Sequence, residues 1–278
     1  MTWLVSDPSY AMFLLVDFIA IFTLFAAMRW ISRFIVKPVD QHSEASNIET
    51  ACAVIALMLA LTGVTSGAFS LTLFDEWLLV TVYGLLAIAL LRLGALIQDK
   101  LVLPTLNLSS ATQHGNITAA YITGAHLIGT AIVIRATMEW SSQDENLGIN
   151  ELLFGFVLSQ LLLAIETRLR LVWTSGGLLK SISESNRASI IKAAMQHIGA
   201  ALAISSSAYF ASDLDTQWQL AVVAWFVSSI VFLLAYLALA ELCVRIILPK
   251  DEAYEGGRAV LEGAIYLGWG FILPALAS

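Results

Sequence analysis

Five ionisable residues lie inside long apolar stretches of this 278-residue sequence, where a charge is costly. They are Asp17, His126, Lys192, His197 and Glu262. An ionisable group at membrane depth is a candidate site residue until a partner accounts for it. The two histidines could relay protons, because histidine changes its charge near neutral pH. Alternatively, each imidazole hydrogen-bonds a neighbouring helix, which is a common use of polar side chains in lipid.

Signatures of other chemistry are missing from the sequence. It contains no HExxH, GxSxG, Walker-type or dinucleotide-binding glycine motif, and the loops between the apolar stretches are too short for a catalytic domain. Cys52 and Cys243 have neither metal-binding nor redox spacing, so we interpret them as small apolar residues. We therefore expect no enzyme activity, no cofactor, no metal site and no binding of nucleic acid.

The apolar stretches that must position these residues are long enough to cross a bilayer. With 59% hydrophobic and 13% charged residues, the chain is more apolar than a soluble domain. A bilayer core requires about 20 apolar residues per helix. Eight predicted spans meet that requirement: 11–31, 48–68, 77–98, 117–138, 152–173, 188–208, 218–241 and 257–275. The sequence therefore predicts an all-α integral membrane protein.

The basic residues lie on one side of this predicted bundle. All of the 14 Lys and Arg residues except Arg135 lie at or near the longer connections between spans, at 32–47, 99–116, 174–187 and 242–256. Because Lys and Arg mark the cytoplasmic side, we predict both termini outside. The predicted cytoplasmic rim includes Arg29, Arg33, Arg92, Arg170 and Arg245.

Four stretches of the sequence share one hairpin pattern, with an Arg-bearing helix end, a break and a helix rich in small residues. We interpret the breaks as Pro38, Pro104 and Pro249, with Gly176 and Gly177 in the third unit, and the opening caps as Asn47, Asn116 and Asn186, with Gly257 in the fourth. Ser46 and Glu49 have capping-box spacing. All units point the same way, which predicts four parallel hairpins, grouped as residues 1–140 and 150–278.

The hairpin pattern resembles that of a known family of membrane proteins. The stretch LVLPTLNLSSATQHGNITAAYITGAHLIGTAI carries the Pro break and the helix that opens at Asn. In these features most of the chain resembles domain-of-unknown-function family 350, also called YjfL-like. Typical members have two units and four spans, so this chain is similar to a fused pair. The resemblance implies a bacterial inner-membrane location and no established activity. The third unit lacks the Pro and the fourth lacks the Asn, which indicates that the units have diverged.

The repeat predicts which polar residues lie at the same depth. His126 and His197 occupy equivalent positions of two units, near the membrane midplane. Lys192 and Glu262 lie at similar depth in their own units, so their opposite charges could pair across the bundle. Small residues on the even-numbered spans predict that these spans pack closely as an inner ring, while the odd-numbered spans face lipid.

Two Glu–Arg pairs stand at the ends of odd-numbered spans. Glu166 and Arg170 are four residues apart, as are Glu241 and Arg245, which is the favoured order for an ion pair on one helix face. We interpret both pairs as structural and as lying at the membrane interface.

Two kinds of function fit these patterns. The first is an ion or small-solute channel or transporter, which the parallel units and the polar residues at depth favour. The alternative is a non-transporting scaffold whose basic cytoplasmic rim binds anionic membrane lipids or docks a peripheral protein of an envelope-stress system. A homo-oligomer is compatible with either function. A water-lined path through the bundle would favour transport, and a dry, closely packed bundle would favour the scaffold.

Overall fold

The computed structural model describes residues 8–35, 43–65, 72–104, 106–141, 149–173, 180, 184, 186–212, 218–248 and 255–277. These residues form nine α-helices and one π-helix, and they contain no strand. The α-helices are α1 Pro8–Ile35, α2 Glu44–Thr65, α3 Leu73–Ile97, α4 Leu108–Gln113, α5 Ile117–Ser141, α6 Ile149–Trp173, α7 Arg187–Ser212, α8 Trp218–Ile247 and α9 Glu255–Ala277. The π-helix, Gln98–Val102, directly follows α3.

Seven of these helices are long and apolar enough to cross a membrane, namely α2, α3, α5, α6, α7, α8 and α9. Helices suit this environment because they satisfy their backbone hydrogen bonds internally. The apolar part of α1 that meets the same hydropathy criterion is shorter, Leu15–Ala27. The protein is therefore an all-helical, multi-pass membrane protein.

Two of the three predicted asparagine caps are confirmed. The Oδ1 atom of Asn116 accepts from the backbone N–H of Ala119 at 3.0 Å, and Oδ1 of Asn186 accepts from that of Ser189 at 3.2 Å. Each oxygen satisfies an N–H group that has no partner within the helix, so α5 and α7 begin at the next residue.

The predicted start of α2 is wrong. This helix begins at Glu44, and Asn47 lies inside it. Ser43 is the cap, because its Oγ accepts from the backbone N–H of Ser46 at 3.2 Å. The capping box of Ser46 and Glu49 is therefore also wrong. Ser43 lies four residues before Asn47 and has similar cap chemistry, which lengthens the helix by about one turn.

The break at Pro104 agrees with the structure. After α3 the backbone widens into the π-helix, in which the N–H of Leu103 donates to the carbonyl of Gln98 at 2.9 Å, and regular helix then stops. Pro38, Pro249, Gly176 and Gly177 lie outside the described residues. Helix α1 ends at Ile35 and α8 ends at Ile247, shortly before the first two of these positions.

The four even-numbered predicted spans correspond to α2, α5, α7 and α9. These helices pack side by side as predicted, but they form an open row instead of a ring. Helix α2 packs on α5, α5 on α7 and α7 on α9. Among the described residues, α2 and α9 share no extensive contact. Glycines allow the close approaches: a Cβ on Gly63 would lie 2.7 Å from the carbonyl oxygen of Arg135, and one on Gly270 would lie 2.6 Å from Cα of Gly199.

Burial also corrects the predicted division into inner and outer helices. Helix α5 is central, with 78% of its apolar segment buried, whereas the outer members of the row, α2 and α9, are only 28% buried. Helix α6 corresponds to the fifth predicted span, which is odd-numbered. Its apolar segment is as buried as that of α7, at 56%. Because α6 contacts both α5 and α7, its polar residues meet the centre of the bundle instead of lipid.

Candidate functional site

The five predicted site residues lie at three separate places in the structure. His126 on α5 and His197 on α7 contact each other in the interior of the bundle. Lys192 and Glu262 form an ion pair between α7 and α9, as their similar predicted depth suggested. Asp17 on α1 is buried apart from both pairs. The structure therefore does not assemble one site from all five residues.

The two histidines form a buried hydrogen-bonded pair. Nδ1 of His126 lies 3.1 Å from Nε2 of His197, and their ring centroids are 5.2 Å apart. Both residues are at least 95% buried. Gly129 makes this approach possible, because a Cβ there would lie 3.2 Å from Cβ of Ala201 and 3.5 Å from the ring of His197. The contact thus depends on close packing of α5 against α7.

A backbone carbonyl fixes the tautomer of His126. Its Nε2 atom lies 3.0 Å from the carbonyl oxygen of Gly94 on α3. A carbonyl only accepts hydrogen bonds, so Nε2 must carry a proton. Gly94 brings α3 this close, because a Cβ there would lie 3.3 Å from Cγ2 of Thr130 and 3.4 Å from Oε1 of Gln160.

The orientation of the bond between the two rings follows from this tautomer. When His126 is neutral with a proton on Nε2, its Nδ1 atom is an acceptor, so Nε2 of His197 is the donor. The donor or acceptor role of three of the four ring nitrogens is then assigned. The remaining nitrogen, Nδ1 of His197, is where the pair can gain or lose a proton without breaking either bond.

Both protonation states of His197 find a partner in α6. Its Nδ1 atom lies 3.4 Å from Oε2 of Glu166 and 3.5 Å from the hydroxyl of Thr167. With a proton on Nδ1, the ring is an imidazolium that pairs with the Glu166 carboxylate. Without that proton, Nδ1 can accept from the Thr167 hydroxyl. The site therefore offers two protonation states with the same arrangement of helices.

Arg170 completes this buried cluster. Its guanidinium contacts the carboxylate of Glu166, and its Nη1 donates to the backbone carbonyl of Ala193 at 2.8 Å. Glu166 is only 3% exposed and the side chain of Arg170 only 12%. The predicted ion pair is present, and it is buried within the bundle. Arg170 also does not belong to an exposed rim, because it turns toward α7.

The structure describes the side chains of two of the other four predicted rim residues. Arg92 is exposed on α3. The Arg245 side chain is 74% exposed and pairs with Glu241 at 2.9 Å. The side chains of Arg29 and Arg33 lie outside the described residues. Two of the five rim arginines are therefore available at the surface of the described part.

A small cavity lies beside the histidine pair. It has room for about one water molecule. Its polar lining comes from Gln98, Thr167, Arg170 and His197, and its apolar lining from Leu103, Ile122, Ala125 and Ala193. Gln98 is the first residue of the π-helix, so the widened backbone after α3 forms one wall. Nδ1 of His197 could exchange its proton with a water molecule in this space.

Sequence reasoning missed the contribution of α6, although a signal was present. Ser159 and Gln160 lie two helical turns before Glu166 and Thr167, so these four residues share one face of the helix. All four are buried, and Nε2 of Gln160 donates to the Thr130 hydroxyl at 3.0 Å. A polar face on an apolar helix indicates contact with other helices instead of lipid.

The second cluster joins α7 to α9 and is more exposed at the protein surface. Glu262 accepts from Lys192 and, at 2.9 Å, from Nε of Arg258. The two cationic side chains are each about one third exposed, at 33% and 34%. Gly263 allows the helices to approach, since a Cβ there would lie 3.0 Å from Cα of Lys192. This cluster ties two helices together without a buried unpaired group.

Comparison with known families gives the domain organisation. The family model described as Domain of Unknown Function (DUF350) matches the sequence twice, over residues 3–142 and 144–276. The chain belongs to the DUF350 family. It contains two tandem copies of the domain, which confirms the similarity to a fused pair. No curated protein and no solved structure matches the chain.

The histidine pair lies at the junction of the two DUF350 copies. His126 and the carbonyl of Gly94 belong to the first copy, whereas His197 and Glu166 belong to the second. Each copy contributes one imidazole and one group that orients it. The site therefore requires both copies of the tandem chain.

Proposed function

We propose that this DUF350 protein carries protons across the membrane, with His197 as the residue that binds and releases the proton. The observation that carries the proposal is the position of Nδ1 of His197, which lies within reach of Glu166 and beside a cavity large enough for water. The bond from His126 to the Gly94 carbonyl holds the rest of the pair in one tautomer. Proton exchange is then concentrated at a single buried atom.

Close packing of the inner row favours a proton over a larger solute. The contacts at Gly63, Gly129, Gly199 and Gly270 bring the backbones of neighbouring helices close together at these four positions. A proton needs only a chain of hydrogen-bonded groups and water molecules, whereas a solvated ion needs a wider path. The same close packing supports the second candidate, the non-transporting scaffold on the membrane, and the transport experiment separates the two.

The proposal includes a topology of eight spans in a bacterial inner membrane, with both termini outside. Helix α1, Pro8–Ile35, is long enough to be the eighth span, because about 20 residues cross the apolar core. The placement of cations beside the longer connections supports the orientation. Reporter fusions test it: a fluorescent protein that matures only in the cytoplasm should stay dark at either terminus and fluoresce after residue 110.

Proton transport can be measured directly with purified protein in liposomes. The liposomes contain a pH-sensitive dye, and valinomycin with a potassium gradient supplies the membrane potential. We expect acidification of the lumen by the natural protein and at least about a ten-fold lower rate for His197→Gln, because the amide cannot take up the proton. His114→Gln is the matched control, since His114 is exposed beyond the end of α4.

The outcomes of this experiment are distinct. Equal rates for the natural protein and His197→Gln would overturn the assignment of His197. No proton flux in either direction of the potential would reject transport and favour the scaffold. For the scaffold, binding to liposomes with anionic lipid at the surface should then be sensitive to replacement of the exposed Arg92 and Arg245.

A further inference from the structure

The π-helix after α3 places two residues in one wall of the cavity beside His197. Gln98 and Leu103, five residues apart, both line this cavity. In a regular α-helix, two residues at this spacing point about 140° away from each other. The structure instead joins them by a hydrogen bond from the N–H of Leu103 to the carbonyl of Gln98, at 2.9 Å. A bond between residues i and i+5 is the π-helical pattern, so this wall depends on the π-helix.

An exposed side chain of α6 contacts the π-helix. Nη2 of Arg168 donates to the backbone carbonyl of Leu101 at 2.8 Å. The last carbonyl groups of a helix have no partner within it, and an arginine side chain is a suitable donor for them. Arg168 belongs to the second DUF350 copy and Leu101 to the first, so this bond joins the two copies.

The bond from Arg168 lies directly next to the cavity along α6. Thr167, the residue before Arg168, lines the cavity, whereas Arg168 itself is exposed and reaches the π-helix. Helix α6 and the π-helix are in contact with each other. Arg168 therefore holds together two of the elements that enclose the cavity.

A water molecule in this cavity needs polar partners that stay in place. A buried water molecule typically makes about three hydrogen bonds, and the polar lining consists of Gln98, Thr167, Arg170 and His197. If the π-helix became a regular α-helix, Gln98 and Leu103 could no longer share one wall. Leu103 is packed within an apolar cluster, so Gln98 is the residue that would turn away. The water molecule would then lose one of its partners.

We propose that Arg168 is a positioning residue for the proton site. Its bond to Leu101 keeps the π-helix against α6, so that Gln98 remains in the wall that holds water beside His197. The inference rests on the proposed function for the use of that water in proton exchange. An arginine that only caps a helix end would stabilise the protein without any effect on the cavity, and this difference can be measured.

Amide hydrogen exchange of the full-length protein in lipid nanodiscs tests whether Arg168 holds the π-helix. Arg168→Met removes the donor and keeps most of the side-chain length. We expect the Leu103 amide to exchange about five-fold faster in this variant, because the π-helix opens more often. Arg168→Lys can still donate one hydrogen bond and should recover at least half of the protection. Lys100→Met, the matched control at an exposed cation of the same π-helix, should leave the exchange of Leu103 unchanged.

Water contact of His197 tests whether the π-helix supports the cavity. Solid-state NMR of the same variants in bilayers measures the transfer of magnetisation from water to the ¹⁵N-labelled ring of His197. We expect this transfer to be at least about two-fold slower in Arg168→Met, because Gln98 no longer helps to hold the water molecule. Lys100→Met should show the natural rate.

Three results would overturn the proposal. The first is equal exchange of the Leu103 amide in the natural protein and in Arg168→Met. The second is faster exchange at Leu103 with an unchanged water contact of His197, which would make Arg168 a helix cap alone. The third is equally faster exchange in α9, which would indicate a general loss of stability. If Arg168→Met does not fold, Arg168→Lys should show a smaller change in the same direction. Neither measurement requires proton flux, so both outcomes are independent of the flux experiment that tests the proposed transport.

Discussion

Two Glu–Arg pairs with the same spacing occupy different environments. Glu166 and Arg170 stand near the end of α6, and Glu241 and Arg245 near the end of α8. The first pair is buried, with side chains 3% and 12% exposed, whereas the second is 45% and 74% exposed. Helix α6 packs on α5 and α7, and α8 lies at the edge of the bundle. Both helices contact two members of the inner row, but 56% of the apolar segment of α6 is buried and only 33% of that of α8.

The difference shows how position converts a common motif into part of a site. The buried Glu166 lies within 3.4 Å of His197 and can hold the charge of an imidazolium. The exposed Glu241 instead accepts from the hydroxyl of Tyr266 at 3.0 Å and links α8 to α9. The first pair therefore belongs to the proposed proton path, and the second contributes to packing.

Neutralising each of the two glutamates should show the largest difference in stability between the two pairs. Glu166→Gln leaves the Arg170 charge buried without its partner, which costs about 3–5 kcal/mol. Glu241→Gln should cost less than about 1 kcal/mol, because both side chains are largely exposed at the surface of the protein. Unfolding in mixed micelles with increasing denaturing detergent measures both free energies.

A double variant controls for the first result. Glu166→Gln/Arg170→Met removes both charges, so it should recover at least half of the stability lost in Glu166→Gln. Equal free energies of unfolding for Glu166→Gln and Glu241→Gln would contradict the assigned difference in burial.

Two glycines allow a similar comparison between a closely packed position and an open one. An alanine at Gly199 on α7 would press its Cβ against the Tyr236 hydroxyl and within 2.8 Å of the Tyr266 carbonyl. We expect Gly199→Ala to cost about 1–3 kcal/mol through this overpacking. Gly268→Ala on α9 should change stability by no more than about 0.5 kcal/mol, because nothing lies within 4 Å of its added Cβ.

One result would contradict the close packing described around Gly199. If Gly199→Ala has the same detergent denaturation curve as the natural protein, α7 and α9 do not approach each other as closely as described.

A smaller effect than that of Gly199→Ala is expected at the tyrosine that contacts the exposed pair. Tyr266→Phe removes the hydrogen bond to Glu241, which should cost about 0.5–1.5 kcal/mol. The rate of proton flux in liposomes should remain unchanged, because Tyr266 does not contact the histidine pair. A loss of flux as large as that of His197→Gln would show that the exposed pair also takes part in transport.

The sequence predicted the elements well and their neighbours less well. Apolar stretches of about 20 residues and the caps at Asn116 and Asn186 determine where the long helices lie, and these signals are local. The repeat also indicated the similar depth of His126 and His197. Whether two residues at one depth touch depends on which helix faces meet, and that is a property of the packed bundle.

The errors follow from the same limit. The spacing of Glu166 and Arg170 predicts their ion pair but not its burial against α7, which the polar face of α6 indicates. Small residues on the even-numbered spans predict close contact between them, but they do not determine how many neighbours a helix has. The repeat predicts Asn47 as the cap, while Ser43 offers the same chemistry four residues earlier.

The most direct test of the proposed proton site is the protonation state of the two buried histidines. Solid-state NMR of the protein in lipid bilayers, with ¹⁵N-labelled histidine, distinguishes the two neutral tautomers from the imidazolium. Spectra of His126→Gln and His197→Gln assign the signals. We predict that His126 keeps its proton on Nε2 across the pH range of transport, while His197 gains a proton on Nδ1 as the pH falls. A neutral His126 with its proton on Nδ1, or a His197 signal that does not change with pH, would contradict the proposed mechanism.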